Sequence, residues 1–138
     1  MSVVLDASVT LAWIYPDETT EALRRVFAQV VERGAVVPSL WRLEVANGLT
    51  IATRRRRITN AMRLTALADL EKFEVAVDEE GDRYAWSTTL HLADRFDLTL
   101  YDAAYLELAQ RRSLPLASLD NTLLGAARVL GVETMGTE

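Results

Sequence analysis

The spacing of hydrophobic and polar positions changes along this chain, and the changes mark out its elements. Val3-Val4-Leu5 is an unbroken apolar run that predicts a short strand over residues 3–6. Ser8 opens a helix-like stretch through Leu11, Ala12 and Trp13, and Pro16-Asp17 starts a second helix that runs to about Arg33 and stops at Gly34. Ala35-Val36-Val37-Pro38 predicts a second strand. Ser39 can cap a helix that carries one apolar stripe at Leu40, Leu43 and Ile51 and a neighbouring one at Trp41, Val45 and Leu49. A further amphipathic helix covers roughly residues 59–73, with Met62, Leu64, Leu67 and Leu70 on its inner side.

Residues 74–77 predict a third strand, followed by helices around 83–94 and over 99–112. A fourth strand at 114–118, a helix at 122–130 ended by Gly131 and an edge strand at 132–135 complete the chain. Short strands separated by helices imply the α/β class, with a central, mostly parallel sheet of about five strands covered on both faces. In such folds the ligand crevice lies beyond the carboxyl ends of the strands. At 138 residues, one domain accommodates all of this.

Composition narrows the chemistry. The chain has no cysteine, which excludes disulfides and thiolate metal sites. His91 is the only histidine, so neither a histidine-rich zinc site nor a pair of catalytic histidines is available, and the expected place for His91 is a helix surface. No apolar run approaches the roughly 18 residues of a membrane span, and no basic signal-like start precedes one, so the expected compartment is the cytoplasm, with no membrane partner. The net charge of −5 is unevenly spread. Residues 24–63 hold nine arginines against Glu32 and Glu44, whereas residues 69–82 hold seven acids against Lys72. An acidic protein of this kind can still present one basic face to a phosphate backbone. Arg54, Arg55, Arg56 and Arg57 read either as a solvated helix end or as a contact for RNA or a partner, and Arg42 is a further candidate.

Four acids stand where a fold does not need them. Asp6 closes the first strand, Glu44 interrupts an apolar stripe, Asp102 lies one turn into an Ala/Leu-rich helix, and Asp120 follows the fourth strand. Burying unpaired carboxylates is costly, and several in one pocket repel each other unless protons or a cation intervene. A hard divalent cation such as Mg²⁺ suits an all-oxygen set. Each acid also has a structural alternative. Asp6 fits a turn, Glu44 an ion pair with Arg42 or another arginine, Asp102 a capping box begun by Thr99, and Asp120 a helix N-cap. Ser8 and Ser118 lie two residues from Asp6 and Asp120, close enough to orient a carboxylate or to cap a helix, and Asn47 lies one turn beyond Glu44. Trp13, Tyr15, Trp41 and Trp86 fit a core or an interface better than base-stacking platforms.

With these residues in place, the chain resembles the PIN-domain ribonucleases, in particular VapC-type toxins of VapBC toxin–antitoxin pairs. The resemblance rests on Val4-Leu5-Asp6-Ala7-Ser8, on the segment from Pro38 to Asn47, on Thr99-Leu100-Tyr101-Asp102 and its continuation to Ala109, and on the segment from Pro115 to Leu123. It implies a PIN-like α/β/α sandwich and an acidic pocket for Mg²⁺ or Mn²⁺, with Asp6, Asp102, Glu44 and Asp120 as catalytic and metal-binding residues. Ser8, Asn47 and Ser118 stand beside them as supporting polar groups. It further implies an RNA substrate, a VapB-type antitoxin partner and a homodimer. Two other readings remain open from the sequence: a catalytically silent binding module of the same fold, and a Mg²⁺-dependent phosphoacceptor signalling domain.

Overall fold

The computed structural model describes residues 1–137. Its core is a five-stranded, wholly parallel sheet of β1 (Val3–Leu5), β2 (Ala35–Pro38), β3 (Val75–Asp78), β4 (Leu116–Ala117) and β5 (Thr134–Met135), in the order β3-β2-β1-β4-β5. β1 is central, with Val3 beside Ala35 on one flank and Leu5 beside Ala117 on the other. Val3, Val4 and Leu5 are all buried, as expected of a parallel strand covered on both faces.

Seven helices flank the sheet among the described residues: α1 (Ala7–Ile14), α2 (Glu21–Arg33), α3 (Trp41–Arg54), α4 (Asn60–Leu70), α5 (Thr88–Phe96), α6 (Leu100–Arg112) and α7 (Asn121–Val129). α1 packs on α3 and α3 on α4, while α5 and α7 pack on α6, giving the α/β/α arrangement. The chain steps from β1 outward to β2 and β3, then crosses back to β4 and β5 on the other flank. The gap between β1 and β4 is therefore the topological switch point, where parallel sheets open a crevice. No described helix is long and apolar enough to cross a membrane.

Several predicted elements shift. The helix expected from Pro16 divides into a single 3-10 turn at Pro16–Glu18 and α2, which begins after Thr20, whose backbone is extended and whose hydroxyl accepts the Leu23 N–H. The stretch at 83–94 divides likewise into a 3-10 turn at Gly81–Tyr84 and α5, because Ser87 leaves helical geometry (φ −125°, ψ −97°). Ser39 does not cap α3, since Leu40 already has helical dihedrals and the turn precedes it. The core-facing stripe of α3 is Trp41, Val45, Leu49 and Ala52, whereas Leu43 is 77% exposed and so is not core. On α4 only Ala66 and Leu70 are buried, and Met62 and Leu64 face outward because the helix packs on the rim of the fold rather than on the sheet. Trp86, expected in a core or interface, is 93% exposed in the single chain and so is not part of its core.

Candidate functional site

The site assembles from strand ends and helix starts. Asp6 leaves the carboxyl end of β1 and stands at the N-cap position of α1. Its neighbour across the switch point is Ser118, the first residue beyond β4. The Ser118 hydroxyl donates to Asp6 Oδ2 at 2.7 Å, and the Ser8 hydroxyl donates to the same oxygen at 2.8 Å. The two serines also tie the β4–α7 loop to the site. Ser8 Oγ accepts the Leu119 N–H at 3.1 Å, and Ser118 Oγ accepts the Asp120 N–H at 3.0 Å. Gly136 explains how Ser118 is held from behind. A Cβ there would lie 2.5 Å from the Ser118 carbonyl oxygen, so only glycine lets the chain after β5 approach so closely.

Glu44 lies in the first turn of α3 and is half-buried. Its partner is not an arginine, Arg42 included. The fully buried Tyr105 of α6 donates its hydroxyl to Glu44 Oε1 at 2.6 Å, whereas Arg42 turns outward to Glu71, also at 2.6 Å. Asp102, in the first turn of α6, is half-buried, and its N–H donates to the Thr99 hydroxyl, so half of the predicted capping box forms. Asp120 is indeed the N-cap of α7. Its Oδ1 accepts the N–H groups of Thr122 and Leu123, which commits one carboxylate oxygen to the helix. Asn47 is exposed and its side chain makes no hydrogen bond among the described residues. His91 is exposed on α5, as expected.

Electrostatics join three of these acids. Burial pushes the Asp6 carboxyl above the usual aspartate range, against the opposing hydrogen bonds from Ser118 and Ser8 and the N–H groups at the start of α1. Glu44 is raised first by burial and further by the negative charges of Asp6 and Asp102, with the Tyr105 hydroxyl acting the other way. Asp102 is raised by burial, then by Asp6 and Asp120, with Thr99 opposing. Each of the four acids thus senses or supplies negative charge across one pocket. None forms an ion pair with a lysine or arginine among the described residues.

The donor set is all oxygen and acidic, which fits a hard divalent cation. Among the described residues, however, no group of three or more acidic or histidine side chains is drawn together closely enough to hold a metal ion as it stands. Protein donors engage one oxygen each of Asp6, Glu44 and Asp120. Tyr105 is the residue that the sequence reading passed over. Its signal was available: it lies one helical turn beyond Asp102, and a buried tyrosine hydroxyl needs a partner.

Residues 3–129 match the sequence model of the PIN domain. Ribonuclease VapC3 of Pyrobaculum aerophilum is 31% identical over 123 residues, which cover 89% of this chain and 92% of the relative. Among solved structures, PAE2754 from Pyrobaculum aerophilum superposes with a TM-score of 0.70 at 24% identity, covering 97% of this chain and 83% of that one. FitAcB from Neisseria gonorrhoeae superposes with a TM-score of 0.67 at 14% identity, covering 96% and 95%. These two likenesses speak for the fold, while the profile match and the ribonuclease relative reach the sequence itself. This chain belongs to the PIN-domain family.

Proposed function

We propose that this protein is a Mg²⁺- or Mn²⁺-dependent endoribonuclease that acts as the toxin of a VapBC-type pair, restrained by a cognate VapB-type antitoxin. The observation that carries the reading is that four acids at strand ends and helix starts feel or supply one another's charge and have no cationic side-chain partner among the described residues. The ribonuclease relative supplies the substrate class. Asp6 and Asp102 are the principal metal ligands in this reading, with Glu44 and Asp120 completing the shell directly or through water. A bound divalent cation supplies Lewis-acid polarisation of a phosphoryl oxygen and acidifies a water to an effective nucleophile near neutral pH.

The remaining work falls to the protein. Ser8 and Ser118 hold the Asp6 carboxylate against its buried surroundings, and Tyr105 fixes the rotamer of Glu44. Asp120 keeps one oxygen on the start of α7 and has the other available for a ligand. His91 is remote from this arrangement in role and in exposure, so no proton transfer is assigned to it. The phosphoacceptor alternative lacks its lysine. Lys72 is exposed and paired with Asp69 on the far end of α4.

The test is RNA cleavage by antitoxin-free protein with Mg²⁺, with Mn²⁺ and with chelator, beside Asp6→Asn purified identically. Metal-dependent cutting that Asp6→Asn loses by orders of magnitude, with its fold intact, is the expected result. Cutting that survives chelator or the substitution removes the metal-ligand assignment.

A further inference from the structure

The four arginines that close α3 are not equivalent. Arg57 is committed to the protein. Its guanidinium lies 3.6 Å from the centre of the Tyr15 ring, and Nη2 is 3.3 Å from Glu18 Oε1 and 4.0 Å from Asp17 Oδ2. It ties the end of α1 to the end of α3. Arg54, Arg55 and Arg56 are exposed and have no side-chain partner among the described residues. Arg56 also takes a left-handed backbone (φ 58°) just past the helix, a position that glycine fills without penalty and arginine does not.

A groove of about 670 Å³ runs between α1 and α3, with Arg55 in its lining and Arg54 and Arg56 next to it in sequence. Ser8, Leu119, Arg55 and Arg57 are among the residues that line it. Ser8 is the residue that bonds Asp6, so the groove borders the site through that side chain. Where α1 and α3 meet, a Cβ at Gly48 would lie 2.5 Å from Leu11 Cδ1, and glycine there lets the helices close up. Along α3, Glu44 and Arg55 are about 16 Å apart at the usual rise, a distance that an extended strand of a few nucleotides spans. Within the groove wall Arg57 pairs with Glu18 and, at the limit of contact, with Asp17, and Arg55 is the lining cation without a partner among the described residues.

We propose that this groove is the bed of the RNA strand on one side of the cut. In this arrangement, phosphates beyond the scissile one pass over Leu11 and Gly48 and are held by Arg54, Arg55 and Arg56, while Arg57 is a structural post that does not touch RNA. The assignment rests on the ribonuclease reading. A polyanion must approach four carboxylates on a protein of net charge −5, so local unpaired cations beside the pocket are what brings it in.

The test is binding of a labelled, mixed-sequence single-stranded RNA in chelator, titrated over a range of salt. Arg54→Gln/Arg55→Gln/Arg56→Gln in one protein is compared with Arg57→Gln and with Ile51→Glu, which sets a carboxylate in the groove. Metal-dependent cleavage by the parent protein is measured alongside. Loss of three phosphate contacts makes the log–log salt slope shallower by about two for a single strand. Arg57→Gln is expected to keep the parent slope with a lower melting temperature, and Ile51→Glu to weaken binding. If the parent protein cleaves RNA but the triple variant keeps the parent slope, the strand path is overturned and the nuclease reading stands. If that variant instead loses a co-purifying partner protein while its RNA slope is unchanged, the patch belongs to the partner. A parent that shows no metal-dependent cleavage removes the nuclease reading itself, and the path to the acid pocket with it.

Discussion

Two groups of buried acids lie at the carboxyl edge of the same sheet, and their electrostatics run in opposite directions. Asp78, at the end of β3, and Glu107, on α6, have side chains only 4% exposed, yet Arg111 reaches both. It donates to Asp78 Oδ2 at 2.7 Å and Oδ1 at 3.1 Å, and to Glu107 Oε2 at 2.7 Å and Oε1 at 3.1 Å. The Arg111 hydrogen bonds hold the Asp78 carboxyl below the usual aspartate range in spite of its burial. Asp6, Glu44 and Asp102 receive only hydroxyls and N–H groups, and burial pushes all three up. Burial alone does not mark an acid as functional. The distinguishing feature is whether the fold itself supplies the countercharge.

The contrast breaks most visibly at Arg111. Arg111→Gln removes the cation from two buried carboxylates at once, and leaving such charges uncompensated costs about 3–5 kcal/mol. Urea denaturation should show that loss. A variant within 1 kcal/mol of the parent, by that measure, would mean that water already screens Asp78 and Glu107.

The pH dependence sharpens the comparison, because the two groups are expected to differ in sign. Asp6, Glu44 and Asp102 have folded-state pKa values above those of the unfolded chain, so in that window the folded protein binds more protons and stability rises as pH falls. Asp78 is depressed, so its contribution is complete above the ordinary aspartate value of about 3.9 and disappears as pH falls through the lower folded value. Asp102→Asn is therefore expected to be more stable than the parent at neutral pH, with the gap closing as pH drops toward the ordinary carboxylate range. Asp78→Asn is expected to be less stable at neutral pH, with its gap closing only below that range. Denaturation midpoints measured across pH read both, and gaps of the same sign would erase the distinction between the two regions.

Much of this was legible in the sequence. The parallel α/β class followed from short apolar runs alternating with helical spacing, and strand-end placement alone put Asp6 and Asp120 near a crevice. The errors have physical causes. Periodicity locates a helix after Ser39 but does not say which of its two adjacent apolar stripes faces the core, and the structure buries the stripe of Trp41, Val45 and Leu49 while Leu43 is exposed. Pro16 was read as a helix start because it fits a first turn, and the extended backbone of Thr20 then restarted the helix. The Tyr105–Glu44 bond spans 61 positions and the Ser118–Asp6 bond 112, separations that only the packed fold brings together. Arg57 and its neighbours were indistinguishable as a run, since what separates them is the Tyr15 ring and Glu18 on another part of the chain.

Asp120 stands between the two regions, and the smallest expected effect lies there. It has no guanidinium, but the Thr122 and Leu123 N–H groups hold its Oδ1 and its charge faces the start of α7. Asn can make the same cap, so Asp120→Asn removes the charge and leaves the helix start in place, whereas Asp120→Ala loses the cap as well at about 1 kcal/mol. Melting temperatures of the two variants separate these contributions, and cleavage rates report the charge. If Asp120 completes the metal shell, Asp120→Asn should keep parent-like stability and lose only part of the cleavage activity, far less than Asp6→Asn. Parent-like cleavage in Asp120→Asn, with destabilisation confined to Asp120→Ala, would make Asp120 a helix cap and reduce the functional set to Asp6, Glu44 and Asp102.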